Sequence, residues 1–151
     1  GYTLRLLENV PGLKLVYDTG NPVFTPDYAK GQPWPRQSSW EFYSQVKDHI
    51  AYVHIKDGVF ELDASNPNGG RARFTFAGEG DGDVRATVKD LLARGYDGGI
   101  SMEPHLAVVF HDDSVQAEDS VRYRNYVEYG QRFMKLVAEA KAELAEAKGS
   151  V

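Results

Sequence analysis

Short apolar runs alternate with stretches of helical apolar spacing along the chain. Residues 3–10, TLRLLENV, place Leu4, Leu7 and Val10 on one side, as the end of a helix does, and Pro11-Gly12 stops it. LKLVYD, residues 13–18, has few polar interruptions and predicts a strand. NPVFTPDYAKGQPWPRQ, rich in Pro and Gly, predicts a long irregular loop. Ser38 followed by Glu41 fits a capping box for a helix carrying Trp40, Phe42, Tyr43 and Val46. IAYVHIKD, residues 50–57, predicts a second strand.

Residues 58–83 contain an alternating ARFTF flanked by Asn-Gly and Gly-Gly turn signals, which predicts a hairpin or wandering loop. Asp83 is a candidate cap for the following helix, in which Val84, Val88, Leu91 and Leu92 recur at helical spacing and Gly95 suits a left-handed end. GGISMEP predicts a third short strand. A long helix is expected over 120–148, apolar at Tyr126, Val127, Phe133, Met134, Val137 and Leu144, with a solvent-facing or partner-facing Ala/Glu/Lys-rich end. Strands separated by helices predict an α/β fold with a parallel sheet, because each crossover covers a sheet face. Its carboxyl edge would then gather Asp18 and Asn21 after the first strand, His54, Lys56 and Asp57 after the second, and Glu103 after the third.

Composition narrows the chemistry. The 151 residues suffice for one modest core without metal or disulfide staples, and the absence of cysteine excludes thiolate ligands and disulfides. Seventeen basic and 22 acidic side chains give a net charge of −5 at pH 7, which argues against nucleic acid as a partner. No stretch is apolar enough to cross a bilayer and no signal core follows Gly1, so a cytoplasmic protein without a membrane partner is expected.

Two carboxylates and an imidazole at three successive strand ends, Asp18, His54 and Glu103, offer hard oxygen and borderline nitrogen donors that suit a divalent Mn, Mg, Co, Zn or Fe ion. Taken singly, each has a plainer reading: an Asp after a strand is a common turn former, and a strand-end His is commonly a hydrogen-bonded residue. Repetition at three strand ends is what favours the ion. Period-two alternation puts His54 and Lys56 on one face, with Asp57 opposite unless the turn at Gly58 swings it inward. Phe24, Tyr28 and Trp34 in the first loop can stack on the apolar face of a ligand, cover the mouth of a site as a lid, or form a small core of their own. His105, His111, Asp112 and Asp113 follow the last strand closely enough to line the mouth of a site.

LVYDTGNP, AYVHIKDG, GEGDGD and GYDGGISMEPH resemble the successive C-terminal motifs of the xylose-isomerase-like (β/α)8 barrel superfamily of sugar phosphate isomerases and epimerases. The resemblance implies a partial TIM barrel, parallel strands six to eight with their helices, occupying 1–151 as the C-terminal portion of the domain. It also implies Asp18, His54 and Glu103 as the last three of four metal ligands. Glu8 is not the fourth, since it lies in the helix before the sixth strand. Asn21, Asp57, His105 and Glu79 are implied as substrate-binding residues, and Glu103 and Lys56 as catalytic ones.

A complete barrel takes about 250 residues. The expectation is therefore a piece of a longer protein whose missing N-terminal barrel portion, or another copy of the chain, completes the site. The implied reaction is divalent-metal-dependent isomerisation or epimerisation of a sugar, sugar phosphate or inosose through an enediolate, with a small sugar or polyol as substrate. Two alternatives stand beside it: an AP-endonuclease-like phosphodiester hydrolase, which would need more ligands and a basic DNA track, and a non-catalytic barrel portion acting in assembly.

Overall fold

A computed structural model describes residues 1–66, 69–106 and 119–149. Helix α1 (Tyr2–Asn9) leads into β1 (Leu15–Asp18), followed by the single-turn α2 (Asn21–Phe24), α3 (Ser39–Val46) and β2 (Ile50–Ile55). A hairpin of β3 (Asp57–Leu62) and β4 (Gly70–Thr75) precedes α4 (Val84–Ala93), β5 (Gly99–Met102) and the 31-residue α5 (Asp119–Gly149). Strands β1, β2 and β5 form a parallel sheet in the order β1-β2-β5, and β3 pairs with β4 antiparallel. This is the α/β arrangement of a partial TIM barrel, with the hairpin inserted after the middle strand.

The sheet has two unlike faces. Tyr17, Val53 and Ile55 point toward the helices and are almost fully buried with Tyr43, Val88 and Tyr129. The opposite face carries Val16 and Tyr52, which are 61% and 37% exposed. Alternation along each strand sets this division, and it sends Asp18 and His54 to the second face together with Val16 and Tyr52.

Several local expectations are met in detail. The Ser38 side chain accepts from the Glu41 amide, and Gly95 has φ +72 at the end of α4. Asp83 is a correction: it stands before α4 but makes no cap hydrogen bond there, and its Oδ2 accepts instead from the Trp40 amide in the first turn of α3, at 3.1 Å. The loop after β1 is more ordered than its Pro and Gly suggest, holding α2 and an antiparallel bridge between Pro26 and Arg36. Within it Tyr28 and Trp34 pack edge-on at 5.0 Å, while Phe24 packs against Phe74 of β4.

The last helix buries a stripe that keeps only part of the expected one, with Phe133 in the core and Val137 packed partly buried against it. Tyr129, Phe133, Leu136 and Ala140 face the core, whereas Val127 and Met134 are 41% and 65% exposed. Spacings of four, three and four residues keep the buried four on one side, and the small Ala140 permits close packing. The helix end is not wholly free, because Arg85 and Lys89 of α4 pair with Glu139 and Glu143. Among the described residues no helix is long and apolar enough to cross a membrane.

Candidate functional site

Parallel register brings the strand ends together. Asp18 lies beside His54 and His54 beside Ser101, while the Glu103 amide continues the ladder by donating to the Ile55 carbonyl at 2.9 Å. One ligand atom from each of Asp18, His54 and Glu103 falls within 4.8 Å of the others. The three residues expected from the sequence are thus assembled.

Asp18 divides its two oxygens between structure and site. Oδ1 accepts from the Gly20 and Asn21 amides at 2.8 and 2.9 Å, fixing the start of α2, and Oδ2 accepts from Lys56 Nζ at 2.8 Å. Glu103 Oε2 lies 3.2 Å from the same ammonium and 3.5 Å from His54 Nδ1, and Oε1 lies 3.2 Å from His105 Nε2. An ionised carboxylate only accepts, so His105 presents its Nε2–H to Glu103. The His105 ring stacks on Phe74 at 4.7 Å, which ties Glu103 to the hairpin.

Burial separates the two carboxylates. The Asp18 side chain is 9% exposed and that of Glu103 is 39% exposed. Desolvation pushes the Asp18 carboxyl up despite the hydrogen bond and charge of Lys56. Burial also acts upward on Glu103, but the hydrogen bonds from His105 and Lys56 and the charge of Lys56 outweigh it and hold the group below the usual carboxylate range. Glu103 is therefore ionised at neutral pH.

Lys56 is the best-held side chain of the cluster, and two residues that the sequence reading passed over explain why. Thr19, fully buried, donates its hydroxyl to the Lys56 carbonyl at 2.6 Å and accepts from the Lys56 amide at 3.0 Å. At Gly20 an added Cβ would stand 2.9 Å from Lys56 Cγ, so only glycine leaves room for the lysine stem. The signal was present in the Asp-Thr-Gly-Asn run, where a hydroxyl and a missing side chain follow the ligand.

Other candidates have different roles. Asp57 is 1% exposed, and its carboxylate accepts four backbone amides: Gly58 and Gly82 on Oδ1 at 2.8 and 2.9 Å, Gly78 and Gly80 on Oδ2 at 2.8 and 3.1 Å. This corrects its expected substrate role, because both oxygens are consumed in anchoring the GEGDGD loop to β3. Glu79 is likewise not gathered into the cluster: it pairs with Arg132 of α5 at 2.7 Å, on a loop whose glycine amides turn toward Asp57. Asn21 is exposed at the start of α2, beside Asp18, and His105 meets Glu103 through Nε2 at 3.2 Å. His111, Asp112 and Asp113 lie outside the described residues.

A sequence model of the xylose isomerase-like TIM barrel matches residues 2–136. Comparison with curated proteins returned no match. Among solved structures, a xylose isomerase domain protein from Planctomyces limnophilus aligns over 96% of this chain with 18% identity and a TM-score of 0.61. A xylose isomerase-like TIM barrel protein from Mycobacterium smegmatis, in complex with magnesium, aligns over 82% with 20% identity and a TM-score of 0.51. The aligned regions span 44% and 35% of those two chains. With a parallel sheet, strand-end polar residues and a match along most of its length, the chain belongs to the xylose isomerase-like TIM barrel family.

Proposed function

We propose that these residues form one side of a divalent-metal-dependent isomerase or epimerase that acts on a sugar, sugar phosphate or inosose. The observation that carries the reading is the convergence of Asp18, His54 and Glu103 from three strands to within 4.8 Å. The donor set fits a hard or borderline ion, and Lys56 already lies between the two carboxylates as a cation of lower charge. Asp18, His54 and Glu103 would hold the ion; magnesium, present in the Mycobacterium smegmatis protein, heads the candidates.

When bound, the ion supplies positive charge to adjacent carbonyl and hydroxyl oxygens and so acidifies the carbon-bound hydrogen beside the carbonyl. Glu103, ionised and held beside the His105 N–H, would accept that proton. The C–H bond breaks, its electron pair forms the enediolate double bond, and an O–H bond forms on Glu103. Returning the proton to the neighbouring carbon, as the hydroxyl proton passes between the two oxygens, isomerises the sugar; protonation of the same carbon on its opposite face, by an acid supplied from the upstream barrel portion, epimerises it. The Lys56 ammonium offers charge for the developing oxyanion. Its contact with Glu103 favours the ionised form but weakens the carboxylate as a base.

The rest of the barrel belongs to the same proposal. Val16 and Tyr52 are exposed on the face that bears the site, and the matched structures are more than twice the length of their aligned parts. An upstream barrel portion, or a second copy of the chain, would cover that face and complete the ligand set. The test is solvent-hydrogen exchange into a panel of ketoses, aldoses, their phosphates and inososes, using the full-length protein loaded with Mg²⁺ or Mn²⁺. Exchange at a carbon beside the carbonyl, lost in Glu103→Gln, supports the reading. No exchange with any member of the panel would leave the fold without this activity.

A further inference from the structure

We propose that Lys56 is a resident counter-ion of the strand-end site, holding the two carboxylates together without a divalent ion and competing with the ion for them. The inference rests on the metal-site reading above and extends it to how tightly the site binds. Lys56 Nζ is 2.8 Å from Asp18 Oδ2 and 3.2 Å from Glu103 Oε2, the oxygens that face the cluster. A lysine side chain only 9% exposed is uncommon, and this one is paired with carboxylates at its buried end.

The chain spends structure on keeping it there. Thr19 clamps both backbone groups of Lys56, and Gly20 gives up a side chain to let the stem pass. A lysine that served only a bound substrate would not need its ammonium lodged between two ligands. Its charge reduces the formal charge of the two carboxylates from −2, on Asp18 and Glu103, to −1. A divalent ion drawn to those oxygens must displace the ammonium or bind close to a like charge, and either raises its dissociation constant. Without an ion, two carboxylates within a few ångströms would repel each other and splay the strand ends; the ammonium prevents this.

The experiment compares wild-type full-length protein with Lys56→Met, which keeps the length of the stem and removes the charge. Mn²⁺ affinity is measured by calorimetry, and thermal unfolding is followed with and without saturating Mn²⁺. The expected result is at least a tenfold lower dissociation constant in the variant, a lower melting temperature without the ion, and a larger rise on adding it. A merely structural lysine would lower the melting temperature equally in both conditions and leave affinity unchanged or weaker, which overturns the inference alone. Failure of both proteins to bind overturns it together with the metal reading. Should Lys56→Met not fold, Lys56→Gln carries the same expectations.

Discussion

Replacing Asp57 by asparagine changes one atom in the residue that anchors the glycine loop. Each carboxylate oxygen accepts two amides, so the asparagine carbonyl satisfies one pair and its NH2 group confronts the other. The Gly58 and Gly82 bonds are buried, while those from Gly78 and Gly80 are partly exposed, so the carbonyl should take the buried position. Two amides then lack an acceptor, at about 1–3 kcal/mol each, and water reaching Gly78 and Gly80 keeps the sum near the lower end, about 2–3 kcal/mol. For a protein of 150–250 residues that is a fall in melting temperature of roughly 5–10 °C. Thermal unfolding gives the total. Hydrogen exchange locates it, with protection lost first at Gly78 and Gly80. A variant that melts within about 1 °C of wild type, with all four amides still protected, would refute the anchoring role.

Two further substitutions test neighbouring assignments. Gly20 has φ −89, which alanine tolerates, so Gly20→Ala probes only the space beside Lys56; overpacking should cost about 1–3 kcal/mol in urea unfolding, and no cost would free Gly20 from that role. Glu79→Gln removes an ion pair whose side chains are 45% and 52% exposed, so stability should change by less than about 1 kcal/mol, whereas a tenfold rise in KM would return Glu79 to the substrate site.

The sheet and its polar edge were legible because each strand ends its apolar run on an ionisable residue, and period-two alternation is a local property. Asp18, His54 and Glu103 could be placed on one edge from that alone. What alternation cannot supply is a partner distant in sequence. Asp57 was known to start on the face opposite Lys56, but its partners are the Gly78, Gly80 and Gly82 amides, more than twenty residues on, and backbone donors leave no mark in side-chain chemistry. Glu79 looked like part of a mouth-closing loop until Arg132, on another element, claimed it. Asp83 has the composition of a cap and acts as one, though for α3 rather than the helix it precedes. In α5 the stripe was partly misplaced because Ala140, a small residue with little hydrophobic signal, packs in the core while the larger Met134 faces out.

The central claim is that three strand ends form a divalent-ion site, and Mn²⁺ titration of the full-length protein tests it most directly. Wild type should bind one ion per chain. His54→Ala removes an imidazole donor that is 38% exposed, so it should bind at least about tenfold more weakly, a loss of about 1.4 kcal/mol or more, with little change in unfolding of the metal-free protein. Equal affinity in the two proteins, or no binding by wild type, would contradict the account and leave His54 as a strand-end histidine beside Glu103.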